Sequence, residues 1–237
     1  MKGNPPSARN LKHIAFFPGI GVAFNRIQKN GNSTAISFLH YLEHGEYQQS
    51  GHAKASALSF GDLGARGVHQ LKLANRIVVV RDPYSRTLSG FLHTFGPKED
   101  QRNSSPFESN QRGFRDFLSF LEEGGLHANK HWSPQTDRIL LPLHKYDAVV
   151  PFSSFPHTFV QSLEGWVPSA REKWVEFSRR GAVGPPATNA LNKLAAFYSH
   201  SDLETIERLY KKDFAVPQIG KEAERVRNAL DARLSGC

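Results

Sequence analysis

Apolar residues in this chain fall alternately in short continuous runs and in stripes spaced three and four apart. His13 to Phe17 and Gly21 to Phe24 are runs, parted by Pro18-Gly19, and predict two short strands. Ala35 to Leu42 carries helical spacing and closes near Gly45. Residues 45–76 mix Gly, Ala and Ser with two histidines, His52 and His69, and predict loop plus short helix. Ile77-Val78-Val79-Val80 is the kind of β-branched run expected in a strand covered on both faces. A helix then starts at Pro83, where the missing N–H costs nothing, with Tyr84, Leu88, Phe91 and Leu92 on one face.

Gly96 to Gly113 is polar and predicts a long surface loop, a candidate lid. Phe114, Phe117, Leu118 and Leu121 mark an amphipathic helix that ends at Gly124-Gly125. Tyr146 to Phe152 is a third strong strand, and the rest is helical in pattern. Phe155, Phe159 and Leu163 form one stripe; Trp174 and Phe177 belong to a second helix; Gly181 to Pro186 is a break. Ser201-Asp202-Leu203-Glu204 has the form of a capping box ahead of Ile206, Leu209 and Tyr210. A charged helix from about Lys221 to Leu234 finishes the chain. The expected architecture is one α/β domain over residues 13–220, with a mostly parallel central sheet and helices on both faces. A flexible arm (1–12) precedes it and a C-terminal helix (221–237) extends it.

Composition sharpens this in two respects. The net charge is +8, which suits an anionic ligand. The sole cysteine is Cys237, so no internal disulfide can form, as in a reducing compartment. The start lacks the apolar core of a signal peptide, and no run approaches a membrane span. The expectation is a cytoplasmic protein, with peripheral contact to a membrane surface allowed.

The chemistry concentrates at two strand-to-helix junctions. The first is Lys29-Asn30-Gly31-Asn32-Ser33-Thr34, a Lys, a Gly and two hydroxyl residues running into a helix N-terminus. Backbone N–H groups there lack helical partners, and the helix dipole favours an anion. The order is not that of a Walker A loop, since the Lys precedes the Gly and hydroxyls. The second junction runs from Arg81 to Ser89. In a parallel sheet both would lie at the carboxyl edge, where open α/β folds bind ligands.

Lys29 to Thr34 resembles the 5′-phosphosulfate loop of the sulfotransferases, and Val80-Arg81-Asp82-Pro83-Tyr84-Ser85-Arg86-Thr87-Leu88-Ser89-Gly90-Phe91 resembles their 3′-phosphate motif. The likeness is to sulfotransferase family 2, the carbohydrate branch of chondroitin and dermatan type. His131-Trp132-Ser133-Pro134 resembles that branch's His-Trp-x-Pro, Tyr146-Asp147 its Tyr-Asp-x-Ile-Gly, and Tyr210-Lys211-Lys212-Asp213-Phe214 its Tyr-x-x-Asp-Phe. The pieces occur in the family's order over roughly residues 22 to 220.

The resemblance implies a P-loop-kinase-like fold and a donor, 3′-phosphoadenosine 5′-phosphosulfate, with transfer to a hydroxyl on a carbohydrate or glycolipid and no metal. Lys29 would meet the leaving oxygen. Asn30, Gly31, Asn32, Ser33 and Thr34 would hold the 5′-phosphate, and Arg81 and Ser89 the 3′-phosphate, where Arg's planar fork suits the group. Arg86 reads as a structural or helix-surface residue. His69 is the first candidate for general base, with His52 and His131 behind it. His40 and His93, within helices, read as structural.

Departures from the family pattern are the absence of a cysteine near Leu140–Leu143 and Val150-Pro151-Phe152-Ser153 in place of Gly-Lys-x-Glu. They point to a bacterial or cytoplasmic relative. Two other functions compete: a nucleotide-dependent kinase of the same fold, which the missing Walker A order disfavours, and a non-catalytic binder of acidic polymers. Scattered Lys and Arg disfavour the latter, and no nucleic-acid partner is expected.

Overall fold

The structure, a computed structural model, describes residues 13–59, 69–70, 72–96, 106–182 and 188–234. Its strands are β1 (Ile14–Phe17), β2 (Val22–Asn25), β3 (Leu58–Ser59), β4 (Asn75–Val80) and β5 (Ala148–Pro151). Its helices are α1 (Asn32–His44), α2 (Ser50–Ser56), α3 (Pro83–Phe95), α4 (Gln111–Glu122), α5 (His157–Glu164), α6 (Ala170–Phe177), α7 (Ala190–Phe197), α8 (His200–Leu209), α9 (Lys211–Phe214) and α10 (Pro217–Leu234).

Two compact units emerge. One takes the chain up to Val80 and Asp137–Gly184; the other takes Arg81–Thr136 and the chain from Pro185. The first holds the whole sheet, in the order β3-β1-β2-β4-β5. The α/β class is as expected, but the sheet is mixed rather than mostly parallel. β2–β4 and β4–β5 are parallel, while β1–β2 and β1–β3 are antiparallel. The reason is the Pro18–Ile20 turn, which closes at Gly21 and is too short for the crossover that a parallel pair requires.

Alternate residues of each strand serve opposite faces. Phe17, Phe24, Ile77 and Val79 pack with Ile36, Phe38 and Leu39 of α1, Phe159 and Leu163 of α5, and Phe177 of α6. Ile14, Phe16 and Ala23 form a smaller cluster with Leu140 and Leu141. Tyr146-Asp147, the pair ahead of β5, sets the strand register. The Tyr146 hydroxyl donates to Asn25 Oδ1 at the end of β2. Asp147 accepts from the Arg76 backbone N–H at 2.7 Å and from its guanidinium at 2.9 and 3.1 Å.

The second unit is helical. Its core gathers Leu88 and Phe91 of α3, Phe114 and Phe117 of α4, and Trp132, Tyr198, Ile206 and Tyr210. The capping box of α8 sits two residues ahead of its expected place. Ser199 Oγ accepts from the Asp202 N–H, and Asp202 Oδ2 accepts from the Ser199 N–H at 2.8 Å. Ser199 and Asp202 have the same spacing as Ser201 and Glu204, and Asp202 is the buried acid of the two. The final helix begins at Pro217, four residues before the expected start. The expected arm over 1–12, half of the expected lid (97–105) and residues 235–237 lie outside the described residues.

Candidate functional site

In the first unit, the chain leaves β2 and turns through Lys29 and Gly31 into α1. Lys29 has φ 71° and Gly31 φ 72°, both left-handed. For Lys this costs about 1–2 kcal/mol, and strain of that kind gathers at functional sites. Gly31 is required twice over, because a Cβ there would also stand 2.8 Å from Phe155 Cε1. Gly31 is the N-cap of α1 and has no side chain to offer; no acid lies in the first turn. The first helical bond is Ala35 N–H to the Gly31 carbonyl at 3.0 Å. The N–H groups of Asn32, Ser33 and Thr34 therefore have no capping side chain and no competing carboxylate, a setting suited to an anion.

Two side chains fix this loop. Asn30, 1% exposed, donates from Nδ2 to the Val79 carbonyl at 2.9 Å, pinning the turn to the end of the neighbouring strand. Lys54 of α2 donates from Nζ to Ser33 Oγ at 2.7 Å. A second cation thus stands beside the loop that Lys29 occupies. Lys54 carries no signal in the sequence, being one more lysine in an unpatterned segment.

In the second unit, Asp82 caps α3. Its Oδ1 accepts from the Ser85 N–H at 2.7 Å, its Oδ2 accepts from the Ser85 hydroxyl, and Pro83 holds the first helical position. Arg81, 5% exposed, donates from Nε to Ser85 Oγ at 2.8 Å. Burial pushes the Arg81 pKa down to about 10; Asp82 pulls it back and Arg86 adds to the fall. Arg81 stays charged at neutral pH while its water shell is largely stripped. Burial raises the Asp82 carboxyl, opposed by Arg81 and Ser85. Ser89, also buried, shares a hydrogen bond with the Thr188 hydroxyl at 3.0 Å. Ser85 thus stands beside the Arg81 guanidinium, one helical turn ahead of Ser89. Arg86 is 0% exposed, so it does not lie on the helix surface, and it donates to the Ser133 carbonyl at 2.8 Å.

The stretch from His131 to Thr136 packs on α3. Its His131 carbonyl comes so close that a Cβ on Gly90 would stand 2.8 Å from it. Trp132 donates from Nε1 to the Gly125 carbonyl at 2.9 Å, and its own carbonyl accepts from Tyr210 at 2.6 Å. Gln135 bonds both backbone polar groups of Arg81, and Asp213 accepts from the backbone of Gln135 and Thr136. Three motifs far apart in sequence are thereby one hydrogen-bonded body. The sequence placed Gln135 directly after the His-Trp-x-Pro stretch without marking it.

His69 is exposed in the first unit. His52 is exposed on α2, two residues from Lys54. His131 belongs to the second unit and packs its ring against His93, with centroids 4.8 Å apart. Among the described residues no group of His, Cys, Asp and Glu is gathered as a metal site would need, and no helix is long and apolar enough to cross a membrane.

Residues 12–216 fit the family model described as "Sulfotransferase family". No curated protein and no solved structure matches the chain.

Proposed function

Since the chain belongs to the sulfotransferase family over residues 12–216, we propose that it moves a sulfuryl group from 3′-phosphoadenosine 5′-phosphosulfate to a hydroxyl on a carbohydrate or glycolipid. The observation that carries this is the turn into α1: a strained Lys29, an uncapped helix N-terminus without acids, and Lys54 at Ser33. That set of donors and cations fits a phosphosulfate. A desolvated, still charged Arg81 fits a phosphate dianion.

In this proposal the N–H groups of Asn32 to Thr34, with the Ser33 and Thr34 hydroxyls, hold the 5′-phosphate. Arg81 and Ser89 take the 3′-phosphate. Lys29 neutralises the charge that grows on the phosphate oxygen as its bond to sulfur breaks. His69 takes the proton of the acceptor hydroxyl as the new oxygen–sulfur bond forms. Such transfers ask little covalent work of the protein; alignment and charge neutralisation supply the rate. The motifs at His131–Pro134, Tyr146-Asp147 and Tyr210–Phe214 favour the carbohydrate branch, and hence a sugar hydroxyl as acceptor.

The test is transfer of labelled sulfate from the donor to a panel of glycan and glycolipid acceptors. The Lys29→Ala variant is expected to lose about 10²–10³ in kcat, the loss typical for removing one charge-stabilising donor. A Lys29→Ala enzyme with wild-type turnover would remove Lys29 from the mechanism.

A further inference from the structure

β4 stops at Val80, so the N–H and C=O of Arg81 are the first backbone groups past the strand. One side chain takes both. Gln135 Oε1 accepts from the Arg81 N–H at 3.0 Å, and Gln135 Nε2 donates to the Arg81 carbonyl at 2.6 Å. Gln135 is 0% exposed. It is held in turn by Asp213, also 0% exposed. Asp213 Oδ2 accepts from the Gln135 N–H at 2.8 Å, and Oδ1 accepts from the Thr136 N–H and hydroxyl at 2.9 and 2.8 Å.

We infer that Gln135 is a positioning residue that aims Arg81 at the 3′-phosphate of the donor, with Asp213 as its anchor. This rests on the donor assignment made above. The chemistry singles out glutamine at this position. Its planar amide offers one donor and one acceptor at the right reach. An ionised Glu only accepts and would face the Arg81 carbonyl with a like charge. Leu offers neither bond and leaves two buried backbone groups unmade. Arg81 leaves the chain at the residue so clamped, and its Nε is already committed to Ser85. Rotation of that backbone therefore swings the guanidinium away from its phosphate-facing direction.

The experiment is titration calorimetry of the full chain with adenosine 3′,5′-bisphosphate and with adenosine 5′-monophosphate, on wild type, Gln135→Leu and Gln135→Glu, with circular dichroism melts as the check on folding. The ratio of the two affinities is the readout, since general loosening of the fold would weaken both ligands alike. Wild type is expected to prefer the bisphosphate. Each variant is expected to lose about tenfold of that preference, ~1.4 kcal/mol. The near-isosteric Gln135→Glu carries the test where Gln135→Leu does not fold. A wild type without preference overturns the donor assignment and this inference with it. A wild-type preference that survives in a folded variant overturns this inference alone.

Discussion

The Asn30 side chain donates to the Val79 carbonyl at 2.9 Å, from a position that is 1% exposed. The turn after β2 is thereby tied to the end of the adjacent parallel strand, where Asn25 already pairs with Val78. A loop that bonds only to itself would drift with its own torsions. This one takes its position from the sheet, and with it the left-handed Lys29 and the uncapped start of α1 are held in place.

Asn30→Ala should loosen that tie. It removes a buried donor, which costs about 1–3 kcal/mol. For a chain of this size the melting temperature should fall by roughly 2–4 °C per kcal/mol. Donor affinity should fall by about tenfold, ~1.4 kcal/mol. A thermal melt and a donor KM on the same preparation check both. A melting temperature that falls while KM stays at the wild-type value would mean that the loop is not the donor site.

The general base is tested by three substitutions. His69→Ala is expected to lower kcat by about 10²–10⁴ with donor binding unchanged. His52→Ala and His131→Ala should leave kcat within a few-fold, the latter with some loss of stability because its ring packs on His93. Steady-state kinetics at saturating donor decides. The large kcat loss appearing in His52→Ala instead would move the base to α2, beside Lys54.

Asp147 gives a prediction in pH. Partial burial pushes its pKa up, but the Arg76 bonds outweigh that and hold it below the usual aspartate value. A carboxylate with a depressed folded pKa stabilises the fold above its unfolded pKa near 4 and loses that contribution as pH falls through the folded value. Melts taken from about pH 5 down to about pH 2 should show wild type losing stability over this window. Asp147→Asn should start lower and fall less steeply. Parallel profiles would show that the Arg76 pair is not pH-coupled to folding.

What could be read from the sequence was local. Ile77 to Val80 announces β4 because four consecutive β-branched residues suit a strand buried on both faces. Gly45 ends α1 in the left-handed conformation that glycine tolerates, its N–H bonded to the Tyr41 carbonyl at 2.9 Å. Pro83 starts α3 for an equally local reason. The junctions at Lys29 and Arg81 are legible because a phosphate-binding turn is a short contiguous device.

What escaped depends on distant partners. β3 is two residues long and exists through its pairing with β1. Lys54 matters only because α2 places its Nζ on Ser33. Gln135 is a buried polar residue whose meaning is its bonds, to Arg81 and to Asp213, 78 residues away. No periodicity marks it. The antiparallel β1–β2 pair follows from the short Pro18–Ile20 link.

In the proposed function this chain recognises a nucleotide by a 3′-phosphate as well as a 5′-phosphate. Thermal unfolding with adenosine 3′,5′-bisphosphate, compared with ADP at the same concentration, separates that function from its rivals. A ligand present at about 100 times its dissociation constant adds roughly 2.7 kcal/mol to stability. A shift of that order is expected with the bisphosphate, a small one with ADP, and loss of the difference in Arg81→Ala. Equal shifts with the two nucleotides, or a larger one with ADP, would contradict the proposed function.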